Sequence, residues 1–118
     1  MPKTVLIVED EFLIAMDLQM VLEKHGWEVI GPVGTVAQAL DLLAKLRPMV
    51  AVLDVTLHDG PVTRVAEALR AQNIPFIVAS AYDKPETVAG DVLKGAVNVD
   101  KPTEERDLLK GLAAVADF

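Results

Sequence analysis

Short apolar runs alternate with longer amphipathic stretches along the whole chain, and this alternation is what most restricts its fold. Val5 to Val8, Val50 to Leu53, Phe76 to Ala79 and Ala96 to Val99 are apolar runs, the last broken by Asn98. Runs this short, without polar alternates, read as strands buried on both faces. Trp27 to Ile30 interleaves Glu28 and is followed by Gly31-Pro32, the pattern of an edge strand. Between these runs the apolar period becomes helical: Ile14, Leu18, Val21 and Leu22; Val36, Leu40 and Leu43; Val62, Val65, Ala66 and Leu69; Val88 and Val92; Leu108, Leu109, Leu112 and Val115. Start signals precede four of these helices: Thr35, Asp59-Gly60-Pro61, Asp83 with Pro85, and Thr103. Gly26 and Gly95 are placed to close the first and fourth.

Strict alternation of five strands and five helices predicts an α/β chain of (βα)5 type. Parallel strands need right-handed crossovers, which cover both faces of the sheet with helices. The expected product is a doubly wound, five-stranded parallel sheet of flavodoxin-like order 2-1-3-4-5, with its ligand site outside the carboxyl ends of strands one and three. At 118 residues there is room for one domain, and no linker, repeat or tail interrupts the pattern. The reading is therefore a single domain over 1–118 with no output domain, its start near Met1.

The formal net charge of −7, with Lys and Arg scattered, argues against direct contact with nucleic acid, whose phosphates demand clustered basic charge. The chain has no Cys, which removes disulfides, thiolate metal sites and thiol chemistry and makes a reducing cytoplasm the expected compartment. The apolar run from Val5 to Val8 meets two acids at once, too short for a signal segment or a membrane span.

What stands at the strand ends carries the chemistry. Strand one runs into Glu9, Asp10 and Glu11, strand three into Asp54, strand four into Ser80, and strand five into Asp100 and Lys101. Each has a plain structural alternative: Asp10 as a helix cap, Glu9 and Glu11 as solvated first-turn acids, Asp54 and Ser80 as turn residues, Lys101 as a surface charge. Together they are harder to place so. Carboxylates converging at 4 Å repel by roughly 4 kcal/mol per pair at an effective dielectric near 20, so a cation must join them. Lys101 supplies one charge, and an all-oxygen donor set without His or Cys suits Mg²⁺ or Mn²⁺. A carboxylate beside a divalent ion, a lysine and a hydroxyl is equipped to attack a phosphoryl group, giving a metal-assisted aspartyl-phosphate site.

The segments VLIVEDE, VAVLDVTLHDG, IPFIVASAY and VNVDKPT, in this order on a (βα)5 frame, resemble the receiver domains of two-component response regulators. The resemblance spans essentially the whole chain. It implies that Asp54 is the phosphoacceptor, that Glu9 and Asp10 hold the metal with Asp54 and the Thr56 backbone carbonyl, that Ser80 is the switch hydroxyl, and that Lys101 contacts the phosphate. It also implies a cis peptide between Lys101 and Pro102. A histidine kinase or histidine phosphotransferase would be the donor and another protein the target, with no membrane contact and no catalysis beyond the chain's own phosphorylation and dephosphorylation. Pro75 to Tyr82 is similar to the segment that names the stand-alone "FAT GUY" receivers, with Val78, Ser80 and Ala81 in place of Phe, Thr and Gly. Most receivers carry Tyr or Phe three residues before the lysine; here the residue is Asn98.

A flavodoxin-like cofactor binder would need a Ser/Thr/Gly-rich cradle after strand one, where three acids stand. A phosphatase with its acids after strand one leaves Asp54 unexplained, and neither GxGxxG nor a P-loop is present. A receiver trimmed from a longer regulator, and a receiver that binds protein without phosphorylation, stay open as alternatives. Leu13, Met16 and Met20 form a second apolar face on the first helix, which reads either as a docking surface for the phosphodonor or as extra core. Tyr82, two residues past Ser80, is the aromatic expected to respond when that hydroxyl turns.

Overall fold

The computed structural model describes residues 3–116. Its main strands are β1 (Lys3–Val8), β2 (Trp27–Val33), β3 (Val50–Leu53), β4 (Phe76–Ala79) and β5 (Asn98–Val99), and its helices are α1 (Phe12–Lys24), α2 (Val36–Lys45), α3 (Thr63–Ala71), α4 (Glu86–Ala89) and α5 (Glu105–Val115). The five strands form one sheet in the order β2-β1-β3-β4-β5. Every neighbouring pair is parallel. This is the expected doubly wound order.

Why the central strands lack polar alternates is visible in the packing. Val5 and Ile7 of β1, Val50 and Val52 of β3, and Ile77 and Ala79 of β4 pack with Leu18, Leu22, Leu108 and Leu112 of α1 and α5. Their neighbours Leu6, Val8, Ala51, Leu53, Phe76 and Val78 pack on the other side with Val36, Leu43, Val65 and Leu69 of α2 and α3. Each strand thus feeds two apolar layers, so a charge at any of these positions would be desolvated. Gly111 lets α5 lie close to the sheet, since a Cβ there would meet Val99 Cγ1 at 3.2 Å and Ile77 Cδ1 at 3.4 Å. No helix of the described residues is long and apolar enough to cross a membrane.

Several boundaries differ from the sequence reading. β2 continues past Ile30 through Gly31-Pro32 to Val33, with a register shift opposite Leu6 and Val8. As an edge strand it needs no donor on its outer side, so proline is accommodated. β5 spans only Asn98–Val99, because the Ala96 N–H is spent in a turn on Leu93 O at 3.1 Å. Asp59-Gly60-Pro61 does not open α3. Instead Thr56–Leu57 pairs antiparallel with Gly60–Pro61, and α3 starts at Thr63. Asp59 caps a different helix: its carboxylate accepts the Val36 and Ala37 N–H groups of α2 at 2.7 and 3.1 Å, beside the expected Thr35 cap on Gln38. Those backbone bonds hold the Asp59 carboxyl below its ordinary range.

The fourth helix is cut short. α4 ends at Gly90, whose φ of +95° lies where side-chain-bearing residues are strained, and Asp91–Leu93 form a separate 3₁₀ turn before Gly95. Asp83 does not cap it; Pro85 holds the cap position. Thr103 likewise does not cap α5, because its hydroxyl donates to Asp100 O at 2.8 Å and Glu104 takes the cap position.

Candidate functional site

The parallel ladder itself carries the acids to one edge. Asp54 N–H donates to Val8 O at 2.8 Å, one step beyond the last residue of β3, so Asp54 stands beside the end of β1. Glu9 N–H donates to Val33 O at 2.9 Å and Ser80 N–H to Val99 O at 3.0 Å, which extends the same pattern to β2 and β5. Residues that follow buried strands are thus fixed through their backbones before their side chains make any contact.

Glu9, Asp10 and Asp54 each offer a carboxylate oxygen within 4.8 Å of the others. Lys101 Nζ reaches into this group, 2.6 Å from Glu9 Oε1 and 3.1 Å from Asp54 Oδ1. The contact with Glu9 Oε1 is an ion contact rather than an aligned hydrogen bond. Glu9 is only 4% exposed, and its Oε2 accepts the Glu11 N–H at 3.0 Å, tying the carboxylate to the start of α1. Asp10 does not cap that helix, whose cap position is Glu11 without a side-chain bond. Asp54 Oδ1 also accepts the Val55 N–H at 2.8 Å, which restricts the carboxylate's rotation.

Three carboxylates face one ammonium, and the electrostatics show the imbalance. Burial pushes the Glu9 carboxyl up to about 7 even though Lys101 and the Glu11 N–H favour its anion. The Asp10 carboxyl is raised as well, by burial first and then by Asp54. Burial alone would lower the Lys101 ammonium, but its close contact with Glu9 and the Asp54 and Glu9 charges outweigh that and raise it. His58 Nδ1 lies 3.7 Å from Asp10 Oδ2, at the exposed rim. An oxygen-only donor set with surplus negative charge fits a small divalent ion of the Mg²⁺ type.

Of the remaining residues, Thr56 lies two positions after Asp54, paired with Pro61 in the short antiparallel ladder. The Lys101–Pro102 peptide is cis, as is Gly31–Pro32, which the sequence reading did not anticipate. Ser80 is 2% exposed and its Oγ accepts the Tyr82 N–H at 2.9 Å, so the hydroxyl is turned to its own loop. Tyr82 is 48% exposed, and its carbonyl accepts from Asn98 Nδ2 at 2.8 Å. The last bond was not expected from the sequence, nor was the placement of His58 beside Asp10. Both depend on where loops from distant segments meet, and local spacing carries no signal for that.

The chain is 31% identical over 121 residues to the transcriptional regulatory protein PdtaR of Mycobacterium tuberculosis, covering 99% of this chain and 58% of PdtaR. It is 35% identical over 106 residues to the phyllosphere-induced regulator PhyR of Methylorubrum extorquens, covering 86% of this chain and 39% of PhyR. It spans about half the length of the first curated relatives it matches. Among solved structures it is similar to the solution structure of SdrG from Sphingomonas melonis Fr1, with TM-score 0.82 at 39% identity over 95% of this chain and 94% of SdrG. The BeF3-activated conformation of SdrG from Pseudomonas melonis Fr1 gives TM-score 0.78 at 38% identity over 96% and 95%. Residues 5–113 match the family model of the response regulator receiver domain, and the chain belongs to that family.

Proposed function

We propose that the chain accepts a phosphoryl group on Asp54 from a phosphohistidine, held on a histidine kinase or a histidine phosphotransferase, and signals by protein contacts. The observation that carries this is Lys101 lodged between Glu9 and Asp54 inside a cluster of three carboxylates. In the transfer an Asp54 carboxylate oxygen forms the new P–O bond, the P–N bond of the donor breaks, and the leaving imidazole takes up a proton. Lys101 is placed to neutralise the incoming phosphoryl oxygens, and the Val55 N–H holds the nucleophile in one orientation. Glu9, Asp10, Asp54 and the Thr56 carbonyl would hold Mg²⁺, which when bound supplies the second positive charge that phosphoryl transfer requires. The buried Ser80 hydroxyl is the group that would turn toward the phosphoryl oxygens, leaving Tyr82. Hydrolysis of the acyl phosphate resets the protein, so the chain modifies itself rather than turning over a released substrate.

SdrG, 38% identical to this chain, is described in a BeF3-activated conformation, which supports a phosphoryl response in so similar a domain. Leu13, Met16 and Met20 are all exposed on α1, beside Phe12, while Ala15, Leu18 and Leu22 form its buried stripe. They are therefore not extra core, and an apolar face with two methionines suits a docking partner. A groove lined by Leu13, Ile14, Asp17, Leu18, Pro102 and Thr103 joins this face to the residues that follow Lys101 in the chain. A cytoplasmic location and action as a single receiver unit accord with this reading.

Acetyl phosphate and Mg²⁺ without any kinase test it. Intact mass should show one added phosphoryl group on the wild type and none on Asp54→Asn. Equal labelling of the two proteins would leave the reading without support, and labelling of neither would favour a receiver that binds protein without phosphorylation.

A further inference from the structure

We infer that Asn98 is the positioning residue that passes the state of Asp54 to the loop after β4, by exchanging one hydrogen bond with Tyr82 for two. This rests on the Asp54 reading above and adds to it the route by which the signal leaves the site.

Asn98 is the first residue of β5 and stands opposite Val78 in β4, so its backbone belongs to the rigid sheet. Its side chain reaches past the strand end to Tyr82 O at 2.8 Å, while the Tyr82 N–H is held by Ser80 Oγ at 2.9 Å. The peptide groups flanking Tyr82 are thus anchored on one side by the hydroxyl expected to move and on the other by a residue that cannot.

The Asn98 amide is only half used. Its Oδ1 is buried and has no hydrogen-bond partner among the described residues. An acceptor shut off from water without a donor favours any rearrangement that brings one. When Ser80 turns toward a phosphoryl group on Asp54, the Tyr82 N–H loses its acceptor. One side-chain amide offers both an acceptor for the Tyr82 N–H and a donor for the Tyr82 C=O. Tyr82 therefore settles onto Asn98 with both groups bonded, and the segment from Tyr82 to the start of α4 follows. α4 is a single turn ended by Gly90, held at its far end where Ala89 O accepts from the Thr63 hydroxyl of α3, so a shift of the segment before it acts on its first residues. A buried aromatic is not needed on β5, because the amide transmits by pairing rather than by filling space.

The test is amide hydrogen exchange at Tyr82 by NMR, with and without beryllofluoride and Mg²⁺, in the wild type, Asn98→Ala and Asn98→Gln. In the wild type Tyr82 N–H should stay protected on activation, and the Asn98 side-chain NH₂ signals should shift. Asn98→Ala offers no acceptor, so Tyr82 exchange in the beryllofluoride form should rise about fivefold, the weight of one ordinary hydrogen bond. Asn98→Gln keeps both the donor and the acceptor of the amide and should retain protection close to wild type there, and it decides the matter if Asn98→Ala does not fold. Labelling of both variants by acetyl phosphate should match the wild type. Loss of Tyr82 protection in activated wild type, equal exchange in wild type and Asn98→Ala, or protection in Asn98→Gln as low as in Asn98→Ala would each overturn the inference while leaving Asp54 as acceptor. A wild type that takes neither beryllofluoride nor acetyl phosphate would instead overturn the reading beneath it.

Discussion

A carboxyl such as Glu9, buried at a strand end with its Oε1 against Lys101, is asked to stay charged where charge is costly. With its carboxyl pushed from 4.5 to about 7, the native chain binds more protons than the unfolded chain between those values. Stability without metal should therefore fall as pH rises through that window and level off above it. Metal binding needs the ionised form, so Mg²⁺ affinity should rise about tenfold per pH unit below 7 and flatten above, in titration calorimetry across pH. A flat profile would show that Glu9 ionises independently of the ion. Replacing one repelling acid, as in Asp10→Asn, should raise the urea midpoint of the metal-free protein while weakening Mg²⁺ binding; a clearly lower midpoint would make Asp10 a structural residue. The acids and Lys101 were legible in the sequence because each stands within a few residues of the end of an apolar run. Asn98 stood out only as a departure from the usual aromatic, and its partner Tyr82 lies sixteen positions away.

At the scale of elements, the exposed stripe of α1 makes the sharpest prediction. Met16→Glu with Met20→Glu should slow transfer from a phosphohistidine donor by about tenfold or more, as loss of an apolar anchor does, yet leave labelling by acetyl phosphate unchanged. Parallel loss of both, measured by intact mass over time, would mean core damage instead. On the same face of the sheet as α1, Gly111→Leu should cost about 1–3 kcal/mol in denaturant unfolding, because α5 has no space for the new atoms against Val99 and Ile77. Stability unchanged within error would contradict the close packing of α5. The helices with strong apolar periods, α1, α2, α3 and α5, were readable because a wide buried stripe repeats in each. α4 was read too long, since Val88 and Val92 share a helical period that Gly90 interrupts. Asp59 was recognisable as a capping residue, but local sequence pointed to the helix that follows, whereas the fold brings α2 to it. Cap chemistry is local; the helix end that receives it is set by tertiary contact.

For the whole molecule, strand order explains why four chain segments far apart in sequence share one site. With β1 central between β2 and β3, and β4 next to β3, the acids after β1, Asp54 after β3 and Ser80 after β4 leave the sheet side by side. Lys101, just beyond β5, then reaches back across that edge to Glu9 and Asp54. The arrangement makes a specific claim, that a phosphoryl group from a donor ends on Asp54 and on no other side chain. The measurement that reaches it most directly is site mapping. The Mg²⁺-dependent phosphoprotein is reduced with borohydride, which converts an aspartyl phosphate to homoserine, and its peptides are sequenced by mass spectrometry. Homoserine at position 54 alone, absent when Mg²⁺ is chelated, is the result predicted here. Homoserine at position 10, or phosphate found on His25 or His58 with Asp54 intact, would contradict it.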